Sequence, residues 1–212
     1  MSDAHPHIGF TPQQVRAFHE GVAFAERFFM GVSEVQKALR KVCAALESAG
    51  IPYALVGAMA LNAYDYRRVT EGVDLLLTRE GLDAFKARWL GRGWAERFPG
   101  SKGMCDTEYG VKIDVFLTGD FPGDGRPKAV AFPDPSVAER SGDIMVVPLR
   151  TLVELKLASG TTNPGRMRDL ADVQELIRHA DLPMELRDDL DPMVRDEYAR
   201  IWTATRENLD DE

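Results

Sequence analysis

Cysteine is scarce in this chain: 212 residues hold two, Cys43 and Cys105. Neither has the His, Cys or acidic neighbours of a metal or redox motif, so a disulfide framework is excluded and a reducing, cytoplasmic setting is expected. Histidine is scarce too. His5 and His7 lie near the start, while His19 and His179 fall on separate expected helices, so they give no histidine metal set. No apolar run is long enough to span a bilayer, and the opening residues lack the basic start and apolar run of a signal peptide. No Gly-x-x-x-x-Gly-Lys-Ser/Thr loop occurs, and no Ser-His-Asp or Cys-His pattern stands out. Basic charge is also in deficit. A net charge of -8 and a pI near 5.1 argue against a general nucleic-acid binder, while leaving room for a few Arg and Lys to converge on one pocket.

What is present is a hydrophobic content of 44%, ample for the core of one domain of moderate size. Thr11 and Pro12 make a helix start, and Val15, Phe18, Val22, Ala25 and Phe29 recur at helical spacing over residues 12–30. That aromatic stripe reads as core or subunit contact. Ser33 with Gln36 resembles a capping box opening a second helix, which ends at Gly50. Residues 53–56 read as a buried strand broken by Gly57, with a short helix over 58–64 and a second strand over 73–78. A helix over 80–90, a hairpin region over 107–117 with Gly110 near its turn, and a turn-rich loop over 119–127 follow. Short strands are expected at 130–132 and 144–147. Helices are expected at 149–158 and 167–179 with a loop at 159–165 between them, and a helical tail over 185–205 in which Pro183 and Pro192 each restart a helical segment. The order predicts an α/β (α+β) architecture: a small mixed sheet with flanking helices and helical additions at both ends. The expected divisions are 1–33 for the N-terminal extension, 34–147 for the core and 148–212 for the C-terminal helical region.

The chemistry-bearing stretch is Val56-Gly57-Ala58, followed after a short helix by Thr70-Glu71-Gly72-Val73-Asp74. A strand repeats every two residues, so acidic side chains at i and i+2 share one face and can share divalent ions. Here Asp74 is present, but the position two before it is Gly72. Glu71 points to the opposite face unless a bulge rotates it in. Asp114, inside Val-Lys-Ile-Asp-Val, shares strand parity with Lys112 and Phe116. It is either a ligand or an edge-strand carboxylate facing water. Lys156 lies between two leucines on an expected buried helix, Asp169 and Asp172 share a helix face, and Arg67 and Arg68 sit in the loop before Asp74.

Residues 56–78 resemble the nucleotidyltransferase superfamily, the group that includes the bacterial antibiotic nucleotidyltransferases. The nearer likeness is to the abortive-infection, toxin-type enzymes of bacteria. Residues 110–116, Pro-Leu-Arg-Thr-Leu-Val-Glu-Leu-Lys-Leu-Ala-Ser-Gly at 148–160 and Arg-Met-Arg-Asp-Leu-Ala-Asp-Val-Gln-Glu-Leu at 166–176 extend it, so that it covers roughly residues 34 to 180. The resemblance implies transfer of a nucleotidyl group from an NTP with Mg²⁺ or Mn²⁺. It makes Asp74 and Asp114 metal ligands and Gly57 and Ala58 the phosphate turn. Lys156 becomes a phosphate contact, and Arg68, Asp169 and Asp172 line the nucleotide cleft. Gly72 stands where the first metal-binding Asp belongs. Two readings stay open: an altered enzyme acting on an RNA or protein acceptor, or an inactive nucleotide-binding or interaction module working as a homodimer or with a partner protein. No membrane partner is expected.

Overall fold

The structure is a computed structural model that describes residues 12–30 and 33–210. The cap expected at Thr11 and the histidines His5 and His7 lie outside the described residues. Helix α1 (Pro12–Phe29) precedes α2 (Glu34–Ser48), whose Ser33 side chain accepts the Gln36 N–H at 3.3 Å. The core elements then run β1 (Ala54–Leu55), α3 (Gly57–Ala60), β2 (Gly72–Leu77), α4 (Arg79–Trp89), β3 (Trp94–Glu96), β4 (Met104–Asp106), β5 (Lys112–Leu117), β6 (Glu139–Ser141) and β7 (Ile144–Val146). Helices α5 (Leu149–Thr162), α6 (Met167–His179), α7 (Leu186–Asp189) and α8 (Pro192–Asp210) follow.

The seven strands form one mixed sheet in the order β3-β4-β5-β2-β1-β7-β6. Its centre is the parallel pair β2 and β5, in register from Gly72 opposite Lys112 to Leu77 opposite Leu117. Along β5, Ile113, Val115 and Leu117 are buried while Lys112, Asp114 and Phe116 alternate on the other face, as strand parity requires. Helix α2 buries Val35, Ala38, Leu39, Val42, Cys43, Ala45 and Leu46 at i, i+3, i+4 and i+7 spacings and packs on β2. Lys41 fastens this helix to the sheet edge. Its ammonium lies 2.7 Å from the fully buried Asp106 carboxylate and 4.7 Å from the Trp94 ring centre. On the C-terminal side α5 packs against α6 and α8. Glu154 of α5 accepts the Asp191 N–H at 2.8 Å, tying α5 to the start of α8.

Two expectations need correction. Residues 130–132 are not a strand: the Phe132 N–H donates to Asp120 and its carbonyl accepts from Gly119, so the segment closes a loop instead of joining the ladder. Residues 159–162 are helical, because α5 runs four residues past Ala158. Gly160 lets α6 approach closely, and the Thr161 and Thr162 hydroxyls bond carbonyls one turn back at 2.7 and 2.6 Å. The helical tail restarts at Pro192 as expected, after extended backbone at Leu190 and behind Asp191, which caps Met193. Of the two expectations for the α1 stripe, core packing is removed for Phe18, Val22 and Phe29, which are 67%, 41% and 49% exposed, while Phe28, beside the stripe, is buried. The Val15 side chain lies outside the described residues. Strand β6 escaped notice because Glu139-Arg140-Ser141 is wholly exposed and carries no apolar alternation.

Candidate functional site

Between the glycine turn after β1, the inner face of the sheet, and helices α5 and α6 lies a cavity of about 520 Å³. Its lining brings together Gly57, Ala58, Arg68, Asp74, Lys156 and Asp169, drawn from four stretches far apart in sequence. Asp114 and Asp172 are not part of that lining; Asp172 reaches it through Arg68 and Lys156, and Asp114 lies opposite Asp74 in the β2–β5 register. Four cationic side chains, Arg68, Lys156, Arg166 and Arg168, face two carboxylates, Asp74 and Asp169. The cavity is thus positive by count in a chain whose net charge is -8. Arg166 and Arg168 are exposed, and among the described residues neither has an ion-pair partner.

The glycine turn is shaped for Asp74. Gly57 has φ +65°, which L side chains rarely adopt, and a Cβ there would collide with the Asp74 carboxylate. Burial raises the Asp74 pKa from 3.8 to about 6, helped by the Asp114 charge across the β2–β5 register. An Ala58 backbone N–H and the Lys156 and Arg166 charges oppose the shift. That amide is one the sequence assigned to phosphates, and in this arrangement it serves the carboxylate.

No bulge interrupts β2. The register is continuous from Gly72, and Glu71 stands exposed outside the strand, so it does not fill the gap left at position 72. A Cβ at Gly72 would lie 3.2 Å from the Lys112 carbonyl oxygen, so a side chain there requires the paired β5 backbone to give by a few tenths of an ångström. Asp114, adjacent to Asp74 on the same sheet face, is paired with Arg97, whose Nη1 is 2.5 Å from Oδ1. The close turn at Gly103 makes room for this pair: a Cβ there would sit 3.1 Å from Arg97 and 3.3 Å from Asp114.

Lys156 is 5% exposed and points between two carboxylates, 3.0 Å from Asp169 and 2.6 Å from Asp172. Arg68 donates to the same Asp172 carboxylate, and the Ser159 hydroxyl donates to Asp169 at 2.7 Å. Two cations and two anions therefore neutralise one another where α5, α6 and the loop after α3 meet, which is how buried charge is tolerated. The i, i+3 spacing of Asp169 and Asp172 predicts their shared face; that both would close on Lys156 is a matter of how α5 and α6 cross.

Arg97 and Ser159 were not foreseen. Arg97 lies at the start of the turn between two short strands with no motif around it, and Ser159 had been assigned to a loop. Arg67 is exposed and is absent from the cavity lining. Among the described residues, no group of three or more His, Cys, Asp or Glu side chains could hold a metal ion. Asp74 and Asp114 lie opposite each other in the β2–β5 register, and two carboxylates would hold a divalent ion only with other oxygens completing its shell. They do not fit an ion pair clamp, because position 72 is glycine and Arg97 already holds one Asp114 oxygen.

No protein-family model matches the chain, and no curated protein matches it. In shape it is similar to JHP933 from Helicobacter pylori, at 15% identity and a TM-score of 0.47 over 84% of this chain and 92% of that one. It is also similar to ANT(2")-Ia, solved in complex with adenylyl-2"-tobramycin, at 10% identity and a TM-score of 0.48 over 82% of this chain and 97% of that one. No described helix is long and apolar enough to cross a membrane.

Proposed function

We propose that this chain binds a nucleoside triphosphate in the cavity beside Asp74 and transfers its nucleotidyl group to an acceptor. The observation that carries the reading is the convergence of Arg68, Lys156, Arg166 and Arg168 on the cavity that holds the Asp74 carboxylate. A triphosphate needs cations around its oxygens, and phosphoryl chemistry is mostly positioning and charge neutralisation. Asp74 and Asp114 would hold one Mg²⁺ or Mn²⁺ together with phosphate oxygens, and that ion would supply charge stabilisation at the transferred phosphorus. Arg166 and Arg168, without ion-pair partners, are free to take phosphate oxygens, whereas Lys156 is oriented by Asp169 and Asp172. In the transfer an acceptor hydroxyl oxygen bonds to the α-phosphorus, the bond to the β-phosphate oxygen breaks, and pyrophosphate leaves.

A second reading has its own support. The Arg97–Asp114 pair and the glycine at position 72 fit a site that binds a nucleotide without turning it over, acting as a binding or interaction module. Calorimetric titration of each NTP with Mg²⁺ or Mn²⁺, alongside Asp74→Ala and Gly72→Asp, separates the two. Metal-dependent binding that is lost in Asp74→Ala supports a working site and a search for the acceptor. Binding only in Gly72→Asp defeats both the transferase reading and a nucleotide-binding module, and leaves a protein-interaction module.

A further inference from the structure

The charged side of the cavity accounts for only part of its lining. Another part of the lining comes from β5 and residues 118–133, and it is apolar: Phe116, Phe121, Pro122 and Phe132, with Leu152 and Leu155 of α5 also in the lining. Phe116 and Phe121 are only half-buried, so aromatic surface is left open to the cavity instead of being packed away in the core. Phe116 shares its strand face with Asp114 and stacks on Phe132, with ring centres 4.8 Å apart.

This wall is built in advance. The Gly119 N–H donates to Phe132 and the Phe132 N–H donates to Asp120, at 2.9 and 2.8 Å, closing the base of the loop. Lys128, almost fully buried, donates to the Pro122 carbonyl at 2.6 Å and pairs with Asp124 at 2.5 Å. Asn163, at the end of α5, donates to the Gly123 carbonyl at 3.2 Å. Gly123 packs so tightly on Ser159 and Thr162 that no Cβ would fit. A turn-rich segment that would otherwise be loose is pinned over the cavity, which lowers the ordering cost of binding.

We infer that this aromatic wall is a nucleobase subsite, which holds the base of the bound nucleotide by stacking. It rests on the reading of the cavity as a nucleotide site. A ligand that is anionic at one side and flat and apolar at the other matches the two walls, and 520 Å³ is a volume suited to a small-molecule ligand. The β5 and loop wall offers no side-chain amide, hydroxyl or carboxylate to read a base edge. Stacking is tolerant because every base has a π-face, so the four NTPs bind within about tenfold of one another.

The test is calorimetry on the full chain with Mg²⁺, titrating ATP, GTP, CTP, UTP and inorganic triphosphate. The native protein should bind each NTP on the order of tenfold more tightly than inorganic triphosphate. Phe121→Ser and Phe116→Leu, which stays apolar but loses the ring, should each weaken NTP binding about tenfold and leave inorganic triphosphate unchanged. The unchanged triphosphate also reports that the variants are folded. Equal affinity for NTPs and triphosphate in the native protein overturns the subsite while sparing the proposed function. Parallel losses for both ligands in the variants do the same, as does a preference for one base far beyond tenfold. Failure of the native protein to bind either ligand overturns both readings.

Discussion

Opposed influences act on the Asp74 carboxyl, and their balance has a consequence for stability. Burial and the Asp114 charge hold its proton, raising the pKa to about 6, against the pull of the Ala58 amide and nearby cations. The folded chain therefore binds this proton more tightly than the unfolded chain, whose Asp titrates near 3.8. The resulting stability is fully present below about pH 4 and is lost as pH rises through about 6. A shift of about two units corresponds to roughly 3 kcal/mol as a ceiling. Asp74→Asn should thus be more stable than the native protein at about pH 7.5, by ~2 kcal/mol, with the gap closing toward pH 4. Urea unfolding at several pH values measures this, and a gap independent of pH would refute the account. A carboxylate kept at a cost to the fold is a common mark of a functional site. Arg97 has the opposite character: its pair with Asp114 is about half exposed, and such pairs contribute at most about 1 kcal/mol, little enough for a competing ligand to displace.

At the scale of elements, the site depends on how closely α5 and α6 cross. Gly160 sits at that crossing, where a Cβ would stand 2.5 Å from Leu170 Cγ. By intrinsic propensity, Gly160→Ala should stabilise the helix by about 1 kcal/mol. The steric clash is larger, of order 1–3 kcal/mol for overpacking, so the substitution should destabilise the protein. It should also weaken triphosphate binding, because Ser159 and Lys156 on α5 orient Asp169 on α6 across the same crossing. Thermal unfolding and calorimetry on one sample check both effects. A more stable variant with unchanged binding would show that helix propensity outweighs the crossing. Gly57 carries a similar constraint at the β1–α3 turn, where backbone angle and the Asp74 carboxylate both exclude a side chain.

Across the whole molecule, the charge distribution is uneven. A chain of net charge -8 repels a triphosphate at long range, yet four cationic groups line the cavity that would receive it. The attraction is local and partly exposed, so salt should screen it: at 0.1 M the screening length is about 10 Å. Raising NaCl from about 50 to 500 mM should weaken NTP binding on the order of tenfold, with the triphosphate affected at least as strongly because it lacks a stacked base. Titrations across the salt series measure this, and salt-independent binding would mean that the cations do not contact the ligand.

Strand parity, helical spacing and caps determined most of the elements and the faces of β2 and β5, because those periodicities are local properties of the backbone. From them the sequence alone put Asp74 on a strand, aligned Asp114 with Phe116, and paired Asp169 with Asp172. The length of α5 was misread because propensity sees a glycine, while the helix crossing sees a missing side chain. The tertiary structure alone decided that Lys156 lies between Asp169 and Asp172, that Arg97 holds Asp114, and that three phenylalanines from β5 and a pinned loop share one cavity with four cations. Each joins residues distant in the chain, and the closeness that makes a charge pair or a cavity wall comes from packing that no local pattern encodes.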